Sequence, residues 1–156
     1  MPKQQSFDEF EREERKWTDR FCALFPLLTL SATTAIGSGL CYDAVIESGA
    51  TRSVRRTEVK LREDLSPYPT ILLDRWKWER LMELANPTFI AFCRSSLSAY
   101  VFDLNRAEPL AKTLFIRTPV DYANPNGPKE LVECVQLRKH DADHHVNLRS
   151  ISPKHR

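Results

Sequence analysis

The change of hydrophobic period at Pro26 constrains this chain most. Before it, apolar residues recur at helical spacing, as Phe7, Phe10, Trp17, Phe21 and Leu24. Ser6 and Glu9 form an S-x-x-E capping box that opens this helix, and Pro26 stops it. After Pro26 the texture turns to small, β-branched and apolar residues. Strands are expected over Leu27–Thr34, over Leu40–Glu47 after a turn through Gly37 and Gly39, and over Val54–Arg62 after a turn at Ser48–Thr51. Pro67 and Pro69 break the chain. Ile71–Leu73 then lead into a second helix with Asp74 as N-cap and Trp78, Leu81, Met82 and Ala85 on one stripe, ended by Asn86-Pro87. Further strands are expected over Thr88–Cys93, Ala99–Leu104, Lys112–Arg117 and Leu131–Leu137, with a loop at Asn124–Pro128. Helix, three strands, helix, then more strands is the order of an α/β or α+β fold.

Composition narrows the function classes. A chain of 156 residues has the length of one domain, and 42% hydrophobic with 28% charged residues excludes a disordered polymer. No apolar run approaches the ~18 residues a membrane helix needs, and Met1–Gln5 lack the apolar core of a signal peptide, so a cytoplasmic protein is expected. Cys22, Cys41, Cys93 and Cys134 contain no C-x-x-C pair, which argues against a disulfide framework or a zinc knuckle. The net charge of +2 is too even to announce a nucleic-acid binder, but Arg52, Arg55, Arg56, Lys60 and Arg62 place five cations in eleven residues. Asp141 to His145 resembles a metal cluster in composition, yet it sits in a polar stretch with no rigid element before it and reads as surface histidines.

The chemistry concentrates between Asp43 and Lys60. A hairpin centred between Ala50 and Thr51 sets residues whose numbers sum to 101 opposite each other, so Asp43 faces Glu58, with Cβ atoms ~5 Å apart. Lys60 projects from the same face as Glu58. Two close carboxylates repel unless a cation intervenes, and oxygen-only ligands favour Mg²⁺, or Mn²⁺ in its place. A metal so held keeps positions open for water and a phosphate oxygen, and a nearby lysine can serve that water. The adjacent arginines 52, 55, 56 and 62 stand where a nucleic-acid backbone would need them. One acid breaks the first helix's own rule: Glu14 occupies a position on the apolar stripe.

Asp43, fourteen residues, then Glu58-Val59-Lys60 resembles the PD-(D/E)XK nuclease superfamily, with Tyr42 where the motif's name has proline. The resemblance covers roughly residues 6 to 104. It implies a restriction endonuclease-like core, helix, three-strand meander, helix, strand, here with additional C-terminal strands. Residues 1–139 would form a single nuclease-like domain and 140–156 a polar, frayed tail. It also implies a Mg²⁺-dependent deoxyribonuclease in which Asp43 and Glu58 bind the metal, the Val59 carbonyl and Glu14 add to its shell, and Lys60 serves the attacking water. Lys77, on the second helix that flanks the site in this family, would meet a phosphate beside Arg52, Arg55, Arg56 and Arg62. So short a chain would read DNA shape or ends, act as a homodimer or depend on a partner. Compact nucleases of this kind are typical of phages, whose proteins work in the host cytoplasm. The alternative is a non-catalytic nucleic-acid-binding or phage assembly module on the same or a similar fold.

Overall fold

A computed structural model describes residues 7–34, 40–120 and 124–150. Ser6 of the capping box, the Phe7 side chain, Gly37 and Gly39 lie outside the described residues. Helix α1 spans Phe7–Ala23 and is followed by β1 (Leu28–Thr33), β2 (Ala44–Ser48) and β3 (Ser53–Arg62). Strand β4 (Thr70–Asp74) runs directly into α2 (Arg75–Leu81), and β5 (Thr88–Cys93), β6 (Ser98–Asp103), β7 (Leu114–Pro119), β8 (Lys129–Arg138) and β9 (His144–Asn147) complete the chain. A mixed sheet runs in the order β1-β2-β3-β5-β6-β9, and a smaller antiparallel sheet in the order β4-β8-β7. The fold is α+β, in the expected order of helix, three strands, helix and strand, with β4 added before the second helix.

The sheet has two buried faces because alternate residues of its middle strands point opposite ways. On one side Val59, Leu61, Ile90 and Phe92 pack with Phe21 and Cys22 of α1. Trp17 and Phe21 both lay their rings against Phe92, 5.6 and 6.2 Å between centroids. On the other side Phe89, Ala91 and Cys93 meet Leu81 of α2 and Ile71, Leu73, Val135 and Leu137 of the small sheet. The molecule is therefore three layers deep, and β5, every residue of which is buried, lies at its centre. Strands β3 and β5 are parallel, so the chain must cross over between them, and β4 with α2 is that crossover.

Three expectations are corrected. Ile71–Leu73 are not a lead-in to the helix but part of β4, paired with β8 from Thr70↔Arg138 to Asp74↔Cys134. The second helix stops at Leu81, which leaves Met82 and Ala85 exposed, and Asp74 makes no side-chain capping bond. The segment expected to fray from residue 140 instead forms β9 against β6, from Ser98↔Asn147 to Val101↔His144. Two anchors hold it. Leu148 is 0% exposed among the residues of the α1-side core, and Oδ2 of Asp143 accepts the Asp103 N–H at 2.6 Å. Asp143→Ala should cost about 1–2 kcal/mol in chemical denaturation, because the Asp103 N–H then loses its acceptor.

Candidate metal and phosphate site

The hairpin register falls as the turn dictates. Strands β2 and β3 pair from Ala44↔Thr57 to Ser48↔Ser53, every pair summing to 101. The ladder ends one residue short of Asp43↔Glu58. The Asp43 N–H still donates to the Thr57 carbonyl at 2.9 Å, but there the chain bends away. Its carbonyl is held by the Thr34 N–H at 2.8 Å and by Nη1 of Arg15 at 3.1 Å. The sheet thus parts at Asp43 and leaves the edge of β3 without a strand beyond Thr57.

Carboxylates take the vacated rungs. Oδ2 of Asp43 accepts the Val59 N–H at 2.9 Å, and Oε2 of Glu14 accepts the Leu61 N–H at 2.8 Å. This is why an acid is tolerated on the buried stripe of α1: it satisfies a backbone donor that would otherwise be orphaned. Glu14 is only 8% exposed. Burial above all, then the charges of Asp43 and Glu58, raises its pKa to about 8, against the opposing pull of Lys60 and of the Leu61 N–H. Glu14, Asp43 and Val59 line a common cavity of about 10 Å³, with Glu11, Arg15, Thr18, Thr33 and Ala44. That is room for about one water-sized guest.

Glu58 projects from the face of β3 opposite the Val59 and Leu61 side chains, toward Lys77 of α2, is 1% exposed, and still feels the charge of Asp43 at the strand edge. Its Oε1 is 2.9 Å from Nζ of Lys77 and 3.5 Å from Nζ of Lys60, while Oε2 is buried with no partner. Burial raises the Glu58 pKa to about 7; Lys60 draws it down, Asp43 pushes it up and Lys77 draws it down again. For Lys77 burial opposes the charge, but the attraction of Glu58 prevails and its pKa is raised.

The expected metal ligands are therefore neighbours in the fold, arranged as two groups on β3: Asp43, Glu14 and Val59 at the parted edge, Glu58 with Lys60 beneath α2. Among the described residues no three His, Cys, Asp or Glu side chains already stand as a metal cage. The donor chemistry nevertheless suits a hard divalent cation, because every candidate atom is oxygen and one buried carboxylate oxygen of Glu58 lacks a partner.

The basic residues divide. Arg56 and Arg62 alternate onto the Glu58 face of β3. Arg52 is exposed at the hairpin turn with φ of 54°. Arg55 projects from the other face, where Nη1 donates to Oγ1 of Thr88 at 3.3 Å and lies 3.7 Å from Oδ2 of Asp103. Lys77 is paired with Glu58 rather than presented to solvent. Trp76, next to it, is 47% exposed, and Nζ of Lys77 lies 5.6 Å from its ring centroid. Sequence reasoning did not find the Lys77–Glu58 pair; the signal available was a lysine two positions after the start of a helix already expected to flank the site.

His144 and His145 are exposed on β9, and the His145 ring stacks on Tyr100 at 4.1 Å between centroids. All four cysteines are free. Among the described residues no helix is long and apolar enough to cross a membrane.

No family model matches the chain, and no curated protein sequence matches it. Among solved structures it is similar to Hjc, a Holliday junction resolvase of the archaeal hyperthermophile Archaeoglobus fulgidus, with a TM-score of 0.47 at 15% identity. The likeness covers 91% of this chain and 96% of the other.

Proposed function

We propose that this protein is a divalent-metal-dependent nuclease that hydrolyses phosphodiester bonds in DNA. The observation that supports the reading best is the junction at Asp43. A sheet parts there beside a buried Glu58 whose Oε2 is unpartnered, with the Lys60 ammonium on the same face. On this reading Asp43 and Glu58 would hold Mg²⁺ or Mn²⁺, with the Val59 carbonyl and Glu14 as further candidate ligands. When bound, the metal would supply an acidified water and charge neutralisation at phosphate.

The chain's own residues do the rest. Val59 and Leu61 N–H groups fix the Asp43 and Glu14 carboxylates through one oxygen each, so that neither carboxylate can swing freely. Lys60, held against Glu58, orients the attacking water and stabilises negative charge as it develops on the phosphate oxygens. Arg52, Arg56 and Arg62 supply cations for the DNA backbone. The exposed Trp76 offers a flat surface on which a base can stack.

The test is incubation with linear, circular, single-stranded and branched DNA, with Mn²⁺ against EDTA. Metal-dependent cleavage of any of these supports the reading; cleavage of none, by protein shown to be folded, ends it. Neutralising Arg52, Arg56 and Arg62 should flatten the salt dependence of DNA binding by about one unit of slope per lost phosphate contact. Arg55→Ala should instead show as a loss of stability, because its partners are Thr88 and Asp103.

A further inference from the structure

Glu58 carries more cation than its charge requires. Two ammonium groups, from Lys60 and Lys77, approach the same Oε1, at 3.5 and 2.9 Å, while Oε2 has none. The two lysines are attached differently. Lys60 belongs to β3, two residues from Glu58, and cannot leave the face they share. Lys77 reaches in from α2, a helix of seven residues, and makes the shorter contact. Its side chain is 17% exposed, and the Trp76 ring beside it is open to solvent. In that same placement Nζ already lies 5.6 Å from the Trp76 ring centroid, so an aromatic face borders the ammonium beside Glu58.

We propose that Lys77 is a positioning residue that stands in for the metal: its ammonium neutralises Glu58 while no ion is bound, and gives up Oε1 when one arrives. The proposal rests on the reading of Asp43 and Glu58 as metal ligands. A buried carboxylate stripped of its cation is strongly destabilising, so an empty metal site on a buried glutamate needs an internal substitute. A substitute that competes with the ion lowers apparent metal affinity by the fraction of molecules in which it has let go. Once displaced, the Lys77 ammonium lies at the edge of the site, where a substrate phosphate would approach. The pair thus couples loading of the metal to release of a cation for the substrate.

Titration calorimetry with Mn²⁺ alone, without DNA, tests this. Lys77→Gln should bind Mn²⁺ roughly tenfold more tightly than the wild type, whereas Lys77→Arg, which keeps the cation, should bind as the wild type does. Thermal melts should show Lys77→Gln less stable than the wild type in EDTA, with the gap closed by saturating Mn²⁺. A measurement on the wild type avoids any folding defect of the variants. Acylation of lysines, read by mass spectrometry, should label Lys77 slowly in EDTA and several-fold faster with Mn²⁺, while the exposed Lys112 labels equally in both. Unchanged Lys77 labelling, or Lys77→Gln binding no tighter than wild type, overturns the proposal. If that happens while Asp43→Asn weakens Mn²⁺ binding, the metal reading stands alone. No Mn²⁺ binding by the wild type overturns both.

Discussion

Glu14→Gln is expected to stabilise the metal-free protein by about 3 kcal/mol at pH 9 and by close to nothing at pH 5. The sign follows from the direction of the shift. The folded protein holds a proton on Glu14 up to about pH 8, whereas the unfolded chain releases it near the ordinary value of 4.5. Between these limits the native state binds more protons, so native stability falls as pH rises through the window. Glutamine removes the charge that has to be buried, and its amide oxygen can still accept the Leu61 N–H. Urea denaturation of both proteins from pH 5 to 9 in EDTA checks this. A difference that does not grow with pH would show that the Glu14 carboxylate is already solvated. With saturating Mn²⁺ the advantage should shrink, because the ion neutralises the crowding that glutamine removes.

The second large effect is kinetic. On the proposed function, Lys60→Ala should lower the rate of DNA cleavage roughly a thousandfold, since the lysine acts on the water and on the charge that develops in the transition state. Mn²⁺ binding should survive, because Lys60 is not an oxygen donor. Asp43→Asn should lose both cleavage and metal binding, while the Asn oxygen still accepts the Val59 N–H and preserves the fold. Single-turnover cleavage and calorimetry on the same preparations separate the two. Cleavage by Lys60→Ala at the wild-type rate would move the chemistry elsewhere.

The register of the hairpin that carries the candidate site was legible in the sequence because local rules alone fix it. A short turn determines which residues of a hairpin face each other, so the pairing of β2 with β3 could be counted off before any tertiary contact was known. Glu14 stood out because charge interrupts an apolar period. What the sequence left hidden depends on distant partners. Ile71–Leu73 form too short an apolar run to tell strand from helix entry, and their strand character comes from β8, some sixty residues later. Strand β9 reads as loop because two histidines and an asparagine fill three of its four positions; it is a strand because Leu148 is pulled into the core behind it. Lys77 was expected at a substrate phosphate, and its pairing with Glu58 stayed hidden because nothing in its own helix says which way α2 turns; Leu81 and Trp78 pack with the residues of the small sheet, and Lys77 meets Glu58.

Order of synthesis gives β9 a further consequence. Every residue of the candidate site lies before position 80, so a ribosome has delivered all of the chemistry before β5 is begun. Among the described residues, however, it is His144–Asn147 that cover the outer edge of β6. Until those residues leave the exit tunnel, the six-residue β6 takes the place of the shorter β9 as an edge strand of the sheet, open to pairing with any neighbouring chain. Slow translation after residue 103 should therefore favour aggregates, and a chaperone that shields strand edges should be needed most in that interval.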